Sequence, residues 1–184
     1  LNRPTGLKAE ALSTTSIKYS WKAVPGAESY TVYYKTATGS WKSVTVKDKK
    51  TSVTIKKLKA GLTYKFKVVA VAGSNKSKES ALADSTTKPV AVTLKALRST
   101  KKKEVVVEWK KITGVTGYEI LHATDKKFKK NKKTVTIKKA GTTKNIVKKL
   151  KSKKTYYVKV RAYKTVNKVK VFGAYSKVKS IKCK

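Results

Sequence analysis

The chain has 184 residues but no methionine, one cysteine (Cys183), one histidine (His122) and three prolines. A single cysteine excludes an internal disulfide. With one histidine beside it, no zinc-ligand pattern can be written. Cys183 also stands next to last, a position that suits neither a metal site nor a catalytic thiol. Carboxylates are scarce: Glu10, Glu28, Asp48, Glu79, Asp84, Glu104, Glu108, Glu119 and Asp125 are the whole set. They form no calcium-loop pattern, and Glu104 and Glu108, flanking a strand, are expected to offset nearby lysines. No glycine-rich phosphate loop and no Arg-Gly-Asp tripeptide occurs. The sequence predicts a non-catalytic chain with no cofactor and no metal, in which His122 is a partly buried structural ring. The Asn75-Lys76-Ser77 sequon is expected to be a chance match. No apolar run approaches the roughly 18 residues of a membrane span, and no signal peptide is visible. With no methionine even at position 1, the chain reads as a processed product or an excised fragment.

Lysine is abundant instead. Lysine and arginine total 47 against 9 acidic residues, net +38, and only Arg3, Arg98 and Arg161 are arginines. Lysine is a hydrated point charge, whereas arginine is the fork that grips phosphate or carboxylate bidentately. The bias points to diffuse attraction to polyanions more than to stereospecific readout. The alternative cause is compositional, a lysine-rich proteome encoded by an AT-rich genome.

One line of sequence is written twice. "WKAVPGAESYTV" begins at Trp21 and "WKKITGVTGYEI" at Trp109, with Trp, Gly and Tyr at matching positions. Further on, "LKAGLTYKFKVVAV" from Leu58 matches "LKSKKTYYVKVRAY" from Leu150, and Ser80 matches Ser176. The offset between copies grows from 88 to 92 to 96, so copy two carries about four extra residues after its third strand and four more before Ser176. Insertions of this kind are expected in loops. The boundary falls at Pro89, giving domain 1 as residues 1–88 and domain 2 as residues 89–184. Alternation runs through both copies: Ile17, Tyr19 and Trp21; Tyr30, Val32 and Tyr34; Tyr64, Phe66 and Val68; Tyr156, Val158 and Val160. Period-two patterning with no helical run predicts half-buried antiparallel strands, and about 90 residues per copy predicts two all-β sandwiches.

Each copy resembles a fibronectin type III domain. The resemblance rests on the second-strand Trp21 and Trp109, the third-strand Tyr30 and Tyr118, and the pairs Leu58 with Tyr64 and Leu150 with Tyr156. It implies two consecutive immunoglobulin-like antiparallel sandwiches of seven strands each. It also implies that Tyr64 and Tyr156 form tyrosine corners, the phenol bonding back to the preceding loop. Copy one has Gly61 inside this motif, where copy two has Lys153. The lysine-rich composition resembles that of secreted surface proteins of Gram-positive bacteria, which implies an extracellular or wall-associated setting.

The charge is uneven. Residues 1–89 hold 17 basic and 5 acidic residues, and residues 90–184 hold 30 and 4. In copy two the lysines gather in three loops: Lys101, Lys102 and Lys103; Lys126, Lys127, Lys129, Lys130, Lys132 and Lys133; Lys148, Lys149, Lys151, Lys153 and Lys154. Antiparallel connectivity places these loops at one pole, the end away from copy one. They are the candidate polyanion-binding residues, for teichoic acid, an acidic glycan or nucleic acid, the competing reading being a solvated, solubilising surface. Expected partners are acidic cell-wall polymers or glycans and other domains of a larger parent protein; the chain is expected to be a monomer without specific nucleic-acid binding. Tyr157 and Tyr163 are expected to face outward beside Lys159 and Arg161. The hairpin holding Val166, Val169, Val171 and Phe172 is the most apolar exposed segment and the candidate for a receptor-like protein contact.

Overall fold

The computed structural model describes residues 1–184, all strand, turn and coil. It divides into two compact units, Leu1–Lys88 and Pro89–Lys184. Unit 1 runs β1 (Lys8–Ala11), β2 (Ile17–Ser20), β3 (Ser29–Thr36), β4 (Lys42–Val46), β5 (Ser52–Ile55), β6 (Thr63–Ala72), β7 (Asn75–Lys76) and β8 (Ala83–Thr86). Unit 2 repeats the series as β9 (Leu94–Arg98), β10 (Val105–Trp109), β11 (Gly117–Ala123), β12 (Lys133–Ile137), β13 (Lys144–Val147), β14 (Thr155–Val166), β15 (Val169–Phe172) and β16 (Lys179–Lys182). Each unit packs a three-stranded sheet, β1-β2-β5 or β9-β10-β13, against a larger one. The larger sheet is ordered β4-β3-β6-β7 with β8 also on β6, or β12-β11-β14-β15 with β16 also on β14. This is the seven-stranded sandwich, with its last strand in two pieces.

Serines explain the break. Val68 N–H donates to the Ser80 hydroxyl at 2.9 Å and Val160 N–H to the Ser176 hydroxyl at 3.0 Å. In unit 1 Ala70 N–H likewise donates to Ser77. A side-chain oxygen here does the work of a strand carbonyl, so the ladder is satisfied while the backbone bends away.

Inward positions meet in one core per unit. Trp21 lies 5.2 Å from Tyr30 and Trp109 lies 5.3 Å from Tyr118, centroid to centroid, both pairs tilted. The phenols of these tyrosines are used: Val24 N–H donates to Tyr30 and Ile112 N–H to Tyr118, both at 2.9 Å. This explains the twice-written line. The indole fills the core, Gly26 and Gly114 turn with φ of 78° and 74°, and the tyrosine ties the turn to the next strand. Leu58 and Leu150 are buried. Lys59 N–H donates to Tyr64 at 3.0 Å and Lys151 N–H to Tyr156 at 2.9 Å. Lys153 takes a φ of 62°, close to the 67° of Gly61.

The two insertions differ in kind. The first lengthens the loop after β11, residues 124–132 against 37–41 in unit 1. The second does not fall in a loop, contrary to the expectation. It extends a hairpin: two residue pairs join β6 to β7, but four join β14 to β15, from Tyr163–Phe172 to Val166–Val169. Asn167 and Lys168, both at positive φ, make the two-residue turn, the geometry that matches strand twist.

Candidate functional site

All fourteen predicted lysines are exposed. The structure ties their loops together by backbone contacts. Leu150 N–H donates to the Lys103 carbonyl at 3.1 Å, and Lys103 N–H donates to the Lys184 carbonyl at 3.0 Å. Lys153 N–H donates to the Cys183 carbonyl at 2.7 Å, and Cys183 N–H returns to Lys154 at 2.9 Å. The loop before β10, the loop before β14 and the end of β16 therefore form one surface. The long loop after β11 joins it: Thr124 and Asn131 line a cavity of about 360 Å³ with Lys151, Lys154, Thr155 and Tyr157.

Carboxylates at this pole are few and engaged. Glu104 sits 3.8 Å from Lys148, the one tip lysine in an ion pair. Asp125 turns inward on its own loop and accepts the N–H groups of Lys130 at 2.5 Å, Lys129 at 2.9 Å and Lys127 at 3.1 Å. Those bonds, Lys130 first, hold its carboxyl below the usual range. The same bonds pin the loop, so Lys126, Lys127, Lys129 and Lys130 project from a fixed backbone.

His122 lies beneath the pole, 4% exposed, edge-on to Tyr156 at 5.9 Å. Burial, then Lys133, pushes its pKa down, and Nδ1 has no hydrogen-bond partner. Cys183 is buried in the domain 2 core with its thiol free. No helix long and apolar enough to cross a membrane is present.

The outer face of the larger sheet in unit 2 departs from expectation. Tyr163 has the outward parity yet is 2% exposed. It lies over Gly117, where a Cβ would meet the Ile137 carbonyl and the Tyr163 hydroxyl, and it is flanked by Phe172 at 6.0 Å. Around it cations and rings alternate. Lys159 lies 4.3 Å from Phe128 and 4.4 Å from Tyr175; the Arg161 guanidinium lies 4.6 Å from Tyr175 and 3.6 Å from Phe172; Lys170 lies 4.5 Å from Tyr163. Glu119, buried below, takes Arg161 at 2.8 Å and Lys170 at 3.1 Å. Tyr157 is half-buried against Leu121, Ala123 and Phe128. The hairpin is also less exposed than its composition implies: Val166, Val171 and Phe172 are half-buried, and Val169 alone stands out at 65%. Unit 1 holds a smaller relative of this face, with Lys35 5.1 Å and Lys67 4.5 Å from the Trp41 ring. The clue in sequence was Tyr157, Lys159, Arg161 and Tyr163 sharing one parity of β14; the rings from Phe128, Phe172 and Tyr175 come from other elements.

Residues 2–86 match the family profile described as "Fibronectin type III domain". Among solved structures, the two-domain fibronectin type III segment of chicken tenascin aligns over 97% of this chain and 98% of its own, at a TM-score of 0.58 and 18% identity. The FN1–FN3 domains of chicken CNTN1 align over 99% of this chain and 64% of their own, at a TM-score of 0.46 and 20% identity. The profile match in the first unit and the likeness to the tenascin segment over both show a fold of two consecutive fibronectin type III-like sandwiches.

Proposed function

We propose that this tandem of fibronectin type III folds is a non-catalytic structural and adhesive module of a larger secreted or cell-surface bacterial protein. It acts as spacer and surface contact, and the contact is the basic pole of domain 2. The observation that carries the reading is the pole itself. Fourteen exposed lysines crowd three neighbouring loops, two of them bonded to each other and the third pinned by Asp125, and only Lys148 has a carboxylate partner. Like charges held together raise the free energy of the folded state unless an anion neutralises them. Acidic cell-wall polymers and acidic glycans are the ligands of this chemistry, bound with little preference because lysine supplies charge without fixed geometry. A protein contact through the β14–β15 hairpin has less support, since Val169 is its only exposed apolar residue.

The test is titration of the full chain with teichoic acid and with heparin, beside a variant carrying Lys129→Ser, Lys130→Ser, Lys132→Ser and Lys133→Ser. Weaker binding by the variant is expected. Unchanged binding removes the pole from the account.

A further inference from the structure

The two copies share few surface residues, yet one exposed stretch is the same in both. Lys56-Lys57-Leu58-Lys59 and Lys148-Lys149-Leu150-Lys151 occupy equivalent loops. Core packing explains the leucine, which is buried in each copy, but not three exposed lysines. The loops are fixed alike. Leu58 N–H donates to the Thr15 carbonyl at 2.9 Å as Leu150 N–H does to Lys103, and the next residue donates to the corner tyrosine. Lys57 and Lys149 both have a φ of 58°. The left-handed region favours glycine, yet both copies place a lysine there.

In domain 1 this loop forms one wall of an open cleft of about 740 Å³, the other wall being the end of β3 and the loop after it. Lys35, Lys42, Lys56, Lys57 and Lys59 line the cleft together with hydroxyl side chains such as Thr36. No carboxylate lines it. The ion pairs of this domain are Lys50–Asp48 and Lys67–Glu79, so none of the five cleft lysines is neutralised. The cavity of Lys151 and Lys154 in domain 2 lies at the equivalent place.

We infer that domain 1 carries a second anion site in this cleft, and that its ligand is an anionic saccharide chain bearing sulfate, phosphate or carboxylate groups. Point charges along both walls suit repeated anions, and hydroxyl side chains suit sugar hydroxyls. Single-stranded nucleic acid needs open aromatic faces on which bases stack. Here Tyr64 is buried with its hydroxyl engaged, Tyr34 packs half-buried against the domain 1 core, and the nearby Trp41 ring already carries Lys67. The inference extends the reading of the domain 2 pole as an acidic-polymer contact and rests on the same chemistry.

The experiment is calorimetric titration of the full chain at about 50 mM salt, where electrostatic binding is strong. The probes are a short heparin oligosaccharide, a glycerol-phosphate oligomer and a single-stranded oligonucleotide. Two saccharide sites per chain are expected. Lys56→Ser with Lys57→Gly and Lys59→Ser should leave one, and so should Lys35→Gln with Lys42→Gln on the facing wall. Lys8→Ser, Lys18→Ser and Lys47→Ser, which remove three charges outside the cleft, should leave two. The heparin and glycerol-phosphate arms show whether sulfated glycan or polyol phosphate is preferred, and a second site for either supports the inference. No site in the parent chain, or a single site that survives both cleft variants, overturns it. So does an equal loss in the control variant, or occupation of the cleft by the oligonucleotide alone. Lys148→Ser, Lys149→Ser and Lys151→Ser address the domain 2 pole separately. If they leave two sites, the pole reading fails while the cleft stands.

Discussion

The hydroxyl of Tyr156 accepts the backbone N–H of Lys151 at 2.9 Å. One phenol thereby fixes the loop that carries five of the pole's lysines. Tyr156→Phe leaves the packing and removes the acceptor, so domain 2 should lose about 1–2 kcal/mol in urea unfolding, the usual cost of a partner left unsatisfied. Tyr157→Phe should be near neutral, because Tyr157 is only half-buried on the other face. Equal losses would place β14 one residue out of register.

Trp109 is 0% exposed at the centre of the domain 2 core. Trp109→Ala should cost about 3–5 kcal/mol, the range for a large buried aromatic. A loss below about 1 kcal/mol in the same assay would contradict that placement.

Gly117 is needed for space. An alanine Cβ there would meet the Ile137 carbonyl and the ring and hydroxyl of Tyr163. Gly117→Ala should destabilise domain 2 by about 1–3 kcal/mol, as overpacking does. Gly141→Ala, with nothing within 4 Å of the added carbon, is the control and should change little. Thermal unfolding of the two variants decides between them.

His122 makes domain 2 sensitive to mild acid. Its folded pKa is pushed below the ordinary 6.5 by burial and then by Lys133. The unfolded chain therefore takes up the proton first. The contribution of His122 is fully present above about pH 6.5, is lost as pH falls from there toward the folded value, and then levels off. Hydrogen exchange at Val160, corrected for intrinsic rates, should show protection falling between about pH 7 and 5. Protection at Val68 of domain 1, which has no histidine, should be unaffected by this route. His122→Phe should remove the difference, and its persistence would assign the effect elsewhere.

Binding at the basic pole should be strongly salt-dependent. If about six to ten anionic groups are contacted, affinity for a polymer as densely charged as nucleic acid should fall about 10³- to 10⁵-fold between 50 and 200 mM salt. Heparin titrations at the two concentrations measure the slope. A flat response would mean that the contact is not electrostatic.

What could be read from the sequence was what depends on neighbours along the chain. Strand alternation sets inward residues such as Tyr156, Val158 and Val160 without reference to anything distant. The fourteen lysines came out exposed because loops in an antiparallel sandwich are surface by construction. Tyr163 failed because parity gives a direction and not a cover. Its burial depends on Phe172 from the extended hairpin and on the missing side chain of Gly117. Asp125 could not be read as a loop fastener, since its acceptors meet N–H groups only once the turn has formed. The domain 1 cleft and the Trp41 cluster likewise join side chains from separate strands.

The broken last strand also bears on aggregation. Exposed sheet edges are templates for pairing with another chain, and proteins blunt them by keeping edge strands short or bent. The long strands β3, β6, β11 and β14, of 8, 10, 7 and 12 residues, are interior to their sheets. The strands at the margins have five residues or fewer: β1, β4 and β5 in unit 1, and β9, β12 and β13 in unit 2. The serine-bonded interruptions divide the remaining edge into β7 and β8 or β15 and β16, none longer than four. Sandwiches tethered in one chain meet at high local concentration, where a long straight edge would invite strand exchange between neighbours. Interrupting that edge lets such modules be strung together without joining their sheets.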